Sequence, residues 1–280
     1  MPLVVVLHSG GGNPLLIEER TRFSDYADRQ GFVVMYPAGI GLTDDRFLSW
    51  NAGYCCFIAR DRKVDDVGFI QAAVASASKQ YDINPDEIYV TGFSNGGMLA
   101  YRLAAETQGI FRAVAAVSAA IGGQRSPDDP VYRVPDTGKP MPMLIMHGMR
   151  DKQIQVQGGH GAKTSWDRVD LPLSDAIHYW IKQNGCVDKP EEKLIANTHV
   201  TRNSYPCDGN NDLQVYLIQD GGHAWPDEYR PTWRLEYMLL DNPVTDFSAT
   251  EEILKFFRAH GLDTLHPATG VASAPLSSVP

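Results

Sequence analysis

Apolar residues in this chain gather into short runs separated by helical patterns. Five runs read as buried parallel strands: residues 3–7, 32–36, 88–91, 113–117 and 143–147. A sixth, 213–218, is less continuous. Between and after them, apolar positions recur at helical spacing over 18–30, 66–81, 95–106, 173–184 and 248–260. The ends carry matching signals. Gly31, Gly185 and Gly261 follow three of the helices, where a left-handed residue closes the last turn. The acidic pair Asp65–Asp66 opens the second helix, and Ser248 with Glu251 forms a capping-box pattern at the last.

Strands alternating with helices predict an α/β fold: a mostly parallel sheet covered by helices on both faces. One domain over residues 1–266 accounts for the pattern. Residues 267–280, "PATGVASAPLSSVP", read as a flexible tail. The stretch 122–142 is rich in Pro, Gly and Asp and predicts no full helix, and there is no internal repeat.

Composition narrows the classes. Apolar residues make up 43% of 280, enough for a substantial core, so the chain is globular rather than disordered. A net charge of −9 argues against nucleic acid or an anionic membrane as the main partner. No apolar run approaches the ~18–20 residues of a membrane span. The four cysteines, Cys55, Cys56, Cys186 and Cys207, have neither CxxC nor zinc-ligand spacing. No secretory leader pattern precedes "PLVVVLHSGGG", which leaves the compartment open.

The chemistry centres on "GFSNG", residues 92–96, a G-x-S-x-G motif between a strand pattern and a helix pattern. Glycines let Ser94 sit on a sharp turn that lifts its hydroxyl off the sheet edge. The helix start then offers the Asn95 N–H to a developing oxyanion. A serine hydroxyl needs a base, and the base needs an orienting acid. Asp151 follows the fifth strand in "MLIMHGMRD", and His223 follows the sixth in "YLIQDGGHAWP". Strand ends on one edge of a parallel sheet converge, and the order Ser, Asp, His is the one this architecture uses. Asp220 is too close in sequence to reach the His223 ring, and His147 reads as a strand-end packing residue. The glycine run after the first strand offers a second oxyanion N–H, assigned to Gly10. It lacks the Lys-Ser/Thr of a phosphate loop.

These segments, with "WNAGYCC" and "VDDVGFI", follow one another as in polyhydroxybutyrate depolymerases and feruloyl esterases. The chain resembles that group of α/β-hydrolases, akin to carbohydrate esterase family 1, from residue 3 to about 260. The resemblance implies a serine carboxylesterase with no metal or cofactor, secreted or periplasmic. Its nucleophile, acid and base fall on Ser94, Asp151 and His223, and its oxyanion donors on Gly10 and Asn95. It also implies a disulfide between Cys186 and Cys207. For Cys55 and Cys56, free thiols and a vicinal disulfide both remain open. Two departures stand out: His8–Ser9 where the family carries His-Gly, and no β-hairpin before the first strand. The second predicts a shortened sheet whose bare edge is covered by a homodimer partner or by the tail.

Trp50, Asn51 and Trp225 fall beside the predicted cleft and are assigned to substrate binding, with local packing the alternative for each tryptophan. Trp166 sits in the loop after the acid, and residues 227–247 form a candidate rim. Aromatic walls suit flat acyl groups or sugars. The expected substrates are hydroxycinnamoyl esters of plant polysaccharide, followed by acetylated xylan and polyester oligomers. A peptidase or acyltransferase, and a non-catalytic binding protein on the same fold, are the competing readings.

Overall fold

The computed structural model describes residues 1–43, 46–163, 167–226 and 240–262. Its strands and helices, in chain order, are β1 (Leu3–Leu7), α1 (Pro14–Thr21), α2 (Phe23–Gln30), β2 (Val33–Met35), α3 (Phe57–Asp61), α4 (Asp66–Gln80), β3 (Ile88–Phe93), α5 (Asn95–Glu106), β4 (Ala113–Val117), β5 (Gly122–Gln124), β6 (Tyr132–Arg133), β7 (Met143–Gly148), β8 (Gly159–His160), β9 (Val169–Asp170), α6 (Leu173–Asn184), β10 (Glu191–Leu194), β11 (Val200–Tyr205), β12 (Leu213–Ile218) and α7 (Ala249–Ala259).

The main sheet has eight strands in the order β10-β11-β12-β7-β4-β3-β1-β2. From β12 to β2 every pairing is parallel; β10 and β11 add an antiparallel margin. The strands β1, β3, β4 and β7 are buried along their whole length, as their unbroken apolar runs require. Two apolar layers cover the sheet. One holds Ile70, Val74, Met98, Leu99, Tyr101, Leu103 and Trp180 from α4, α5 and α6. The other holds Phe23, Ile253, Leu254, Phe256 and Phe257 from α2 and α7. This is the α/β-hydrolase fold.

The sequence pattern placed this scaffold but not all of it. No hairpin precedes β1 among the described residues, and β10 and β11 lie at the opposite edge of the sheet. On that side β1 is flanked by β2 and β3, and β2 forms the margin of the sheet. The helix expected over 18–30 is two helices, broken where Arg22 turns left-handed at φ 55°. A small second sheet, β6-β5-β9-β8, lies in loops that carried no strand pattern. Among the described residues no helix is long and apolar enough to cross a membrane. The expected tail, 267–280, lies outside the described residues.

Candidate active site

Ser94 stands between β3 and α5 with φ 56° and ψ −119°, a conformation that costs a non-glycine residue energy and recurs at functional turns. Its neighbours make the turn possible. A methyl group at Gly92 would meet the Gly96 backbone, and one at Gly96 would run into the carbonyl oxygens of Leu7 and His8. The Ser94 N–H donates to the Val117 carbonyl at 2.9 Å, so β4 holds the turn from the other side.

The three predicted side chains form one hydrogen-bonded line. Ser94 Oγ lies 2.9 Å from His223 Nε2, and His223 Nδ1 lies 2.7 Å from Asp151 Oδ2. The other carboxylate oxygen, Asp151 Oδ1, accepts the N–H groups of Gln153 and Ile154, each at 2.8 Å. Burial alone would raise the Asp151 carboxyl. The His223 ring, His147 and the Ile154 N–H outweigh burial and hold it below the ordinary carboxylate range. An ionised Asp151 fixes the His223 proton on Nδ1 and leaves Nε2 free to accept from the serine. His147 packs beneath: its Nε2–H donates to the Ile154 carbonyl at 2.8 Å, and burial lowers its pKa. Asp220 faces outward against Arg150, 2.6 Å away.

Two backbone N–H groups flank the serine. Gly10 approaches so closely that a methyl group there would lie 3.4 Å from Asn95 Cβ and 2.9 Å from the Phe57 ring. Neither the Gly10 nor the Asn95 N–H has an acceptor among the described residues. The adjoining cavity, about 850 Å³, is lined by Gly11, Leu42, Phe47, Phe57, Ile58 and the Cys55–Cys56 pair, among others. Ser94 and His223 do not line it, so it extends outward from the oxyanion turn.

The residues assigned to substrate contact lie elsewhere. Trp50 is fully buried: its indole N–H donates to the His8 carbonyl at 3.0 Å, and its ring lies 4.6 Å from that of His8. Trp225 is buried among Phe23 and Phe93, with its N–H on Thr250 Oγ1 at 3.1 Å. Both are core residues, because an indole N–H removed from water needs an internal acceptor and each found one. Asn51 pins loops: its N–H donates to Asp66 at 2.6 Å and its amide to the Val64 carbonyl at 2.9 Å. Trp166 and residues 227–239 lie outside the described residues. Asp65 caps α4 through the Gly68 N–H.

Cys186 and Cys207 form a disulfide that ties the end of α6 to the chain beyond β11. Cys55 and Cys56 are paired with each other. Arg168 Nη1 lies 3.3 Å and 3.8 Å from their sulfurs, while the same guanidinium is anchored on Asp170, which also accepts from Tyr54 at 2.7 Å. Sequence reasoning did not find Asp241. Its carboxylate accepts the His223 N–H at 2.9 Å, its own N–H donates to the His223 carbonyl at 3.2 Å, and Lys163 pairs with it. An isolated aspartate beyond the last sheet strand gives no signal of that kind. Among the described residues no cluster of His, Cys, Asp or Glu is arranged to hold a metal ion.

A family model described as "Esterase PHB depolymerase" matches residues 1–129, the stretch that carries Gly10, Ser94 and Asn95. The chain is 27% identical over 246 residues to the putative esterase NocK of Nocardia uniformis subsp. tsuyamanensis, covering 82% of this chain and 68% of that one. It is 24% identical over 232 residues to feruloyl esterase B of Piromyces equi, covering 81% of this chain and 40% of that one. The chain is similar to polyhydroxybutyrate depolymerases and feruloyl esterases. An acetyl xylan esterase from Aspergillus awamori has a similar fold, with a TM-score of 0.58 at 17% identity over 92% of this chain and 89% of that one.

Proposed function

We propose that this esterase cleaves carboxylic esters through an acyl-enzyme on Ser94, and that its substrates are hydroxycinnamoyl esters of plant polysaccharide. The observation that carries the reading is the continuous line from Ser94 Oγ through His223 to Asp151, at 2.9 and 2.7 Å. In the first half-reaction His223 Nε2 takes the Ser94 proton as Oγ attacks the ester carbonyl carbon. The charge formed on the carbonyl oxygen is held by the N–H groups of Gly10 and Asn95. The protonated ring, steadied by Asp151, returns the proton to the leaving alkoxide. Water then attacks the acyl-serine by the same relay, releasing the acid and free Ser94.

The aromatic acyl preference is supported by Phe47 and Phe57, which line the cavity beside Gly11 and are 64% and 39% exposed. A planar ring contacts such walls over more area than an acetyl group does. The relatives named above include a feruloyl esterase, which supports the same class.

The test compares kcat/KM for methyl ferulate, acetylated xylan and a hydroxybutyrate trimer, with Ser94→Ala as control. The expected result is highest efficiency on the ferulate and none in the variant at unchanged Tm. A preference of about ten-fold or more for the hydroxybutyrate trimer overturns the substrate assignment. Undiminished hydrolysis by Ser94→Ala overturns the mechanism.

A further inference from the structure

His8, the residue that follows β1, is fully shielded from solvent and has no place in the relay. Its two ring nitrogens have different partners. The Gly39 N–H points at Nε2 from 3.0 Å. An amide N–H can only donate, so Nε2 must carry the lone pair and the ring proton must sit on Nδ1. Nδ1 lies 2.9 Å from the Ser9 carbonyl oxygen, which therefore accepts its proton. The same carbonyl also accepts the Gly12 N–H at 2.9 Å.

The Ser9 carbonyl and the Gly10 N–H belong to one planar trans peptide, so they point in opposite directions. Two donors holding the carbonyl on the buried side turn the Gly10 N–H to the other side, beside Asn95. Hydrogen bonds to a carbonyl also polarise its peptide and make the N–H a better donor. Trp50 completes the arrangement. Its indole N–H donates to the His8 carbonyl, its backbone N–H donates to Asn95 Oδ1 at 2.8 Å, and Asn95 Nδ2 donates back to the Trp50 carbonyl at 3.0 Å. His8, two residues before Gly10, and Asn95 are thus joined through one tryptophan.

We propose that His8, fixed as the neutral Nδ1–H tautomer by Gly39, is a positioning residue that aims the Gly10 N–H at the oxyanion, with Trp50 locking that donor to the Asn95 donor. The inference rests on the acyl-enzyme reading above. It assigns His8 no proton transfer and no contact with substrate.

Two measurements test it. In the unmodified protein, ¹⁵N-detected histidine spectra should show an Nδ1–H tautomer for the His8 ring, identified as the set of signals missing in His8→Phe, in addition to that of His223. An Nε2–H tautomer at His8 overturns the proposal whether or not the protein hydrolyses esters, so its failure is separable from that of the esterase reading. In kinetics, His8→Phe should lower kcat for p-nitrophenyl acetate by about 100-fold, comparable to losing one oxyanion donor, with KM within about two-fold. A trifluoromethyl ketone, which forms an oxyanion on the serine, should lose affinity by the same factor. His8→Asn keeps an N–H donor at the δ position and should recover most of both. Active-site titration by the burst counts folded sites, so partial unfolding cannot imitate the result. If His8→Phe keeps kcat and ketone affinity within about two-fold, or if kcat falls while ketone affinity holds, the proposal is wrong.

Discussion

Acidification provides an independent reading of the buried His8. Burial pushes its ring down to about 4 from the ordinary 6.5, opposed only by the Ser9 carbonyl. Below pH 6.5 the unfolded chain therefore takes up a proton at this position, and the folded chain does not until about pH 4. The contribution is complete above 6.5 and drains away as the pH falls toward 4. A gap of about 2.5 in pKa corresponds to about 3 kcal/mol, a large share of the ~5–15 kcal/mol that holds a domain folded. Asp66 works in the opposite direction. Burial, opposed by the Asn51 N–H and Arg102, raises its carboxyl from 3.8 to about 6. The folded chain binds this proton first, so the Asp66 contribution grows as the pH falls through 6 toward 3.8. After discounting for solvent screening it amounts to no more than about 2 kcal/mol. The two slopes overlap and largely offset each other. Urea unfolding from about pH 7 to about pH 4 separates them when each variant is compared with the unmodified chain. His8→Phe should gain on it by about 3 kcal/mol across that range. Asp66→Asn should lose ground by up to about 2 kcal/mol. Contributions from His147 and His260, whose pKa values burial also lowers, are common to all three chains and cancel in the differences. If the His8→Phe and unmodified curves run parallel, the buried neutral ring is refuted.

Three further outcomes follow from the same geometry. Asp151→Asn places an amide against His223 Nδ1 and drives the ring proton to Nε2, facing the serine; kcat should fall by about 10⁴ in single-turnover assays with little change in Tm. Asp241→Ala releases the His223 N–H and leaves Lys163 without its partner, so kcat should drop about ten-fold, while Asp241→Asn, which keeps an acceptor, should recover most of it. Trp225→Ala removes a buried indole and should cost about 3–5 kcal/mol in chemical unfolding, whereas Trp225→Phe should leave KM for methyl ferulate unchanged; a KM rise would return Trp225 to the cleft wall.

The parts of this molecule that announce themselves in sequence are those where one physical demand acts on consecutive residues. Buried parallel strands need unbroken apolar runs, so β1 and β4 could be read with their limits. The serine turn needs glycines where a methyl would strike Gly96 or the carbonyls of Leu7 and His8, and those glycines frame Ser94. Asp151 and His223 needed only the rule that parallel strands end on one edge. By contrast β10 is exposed at all four positions and β11 is buried only at its ends. A margin strand with no apolar face leaves no alternation to see.

The tryptophans failed for a related reason. Nearness in sequence to a catalytic group does not decide which side of a loop a side chain takes. That is decided by partners far along the chain: Thr250 for Trp225, and His8 with Asn95 for Trp50. The same long-range pairing hid Asp241, and it hid the contacts of His8 with Gly39 and Trp50. The Ser94–His223–Asp151 line could therefore be read from local pattern and strand order. The groups that hold it in register could not, since each is defined by a contact between segments tens of residues apart: 31 between His8 and Gly39, 42 between His8 and Trp50, and 18 between His223 and Asp241. In this fold, then, precision in the relay depends on residues whose substitution would look harmless in the sequence alone.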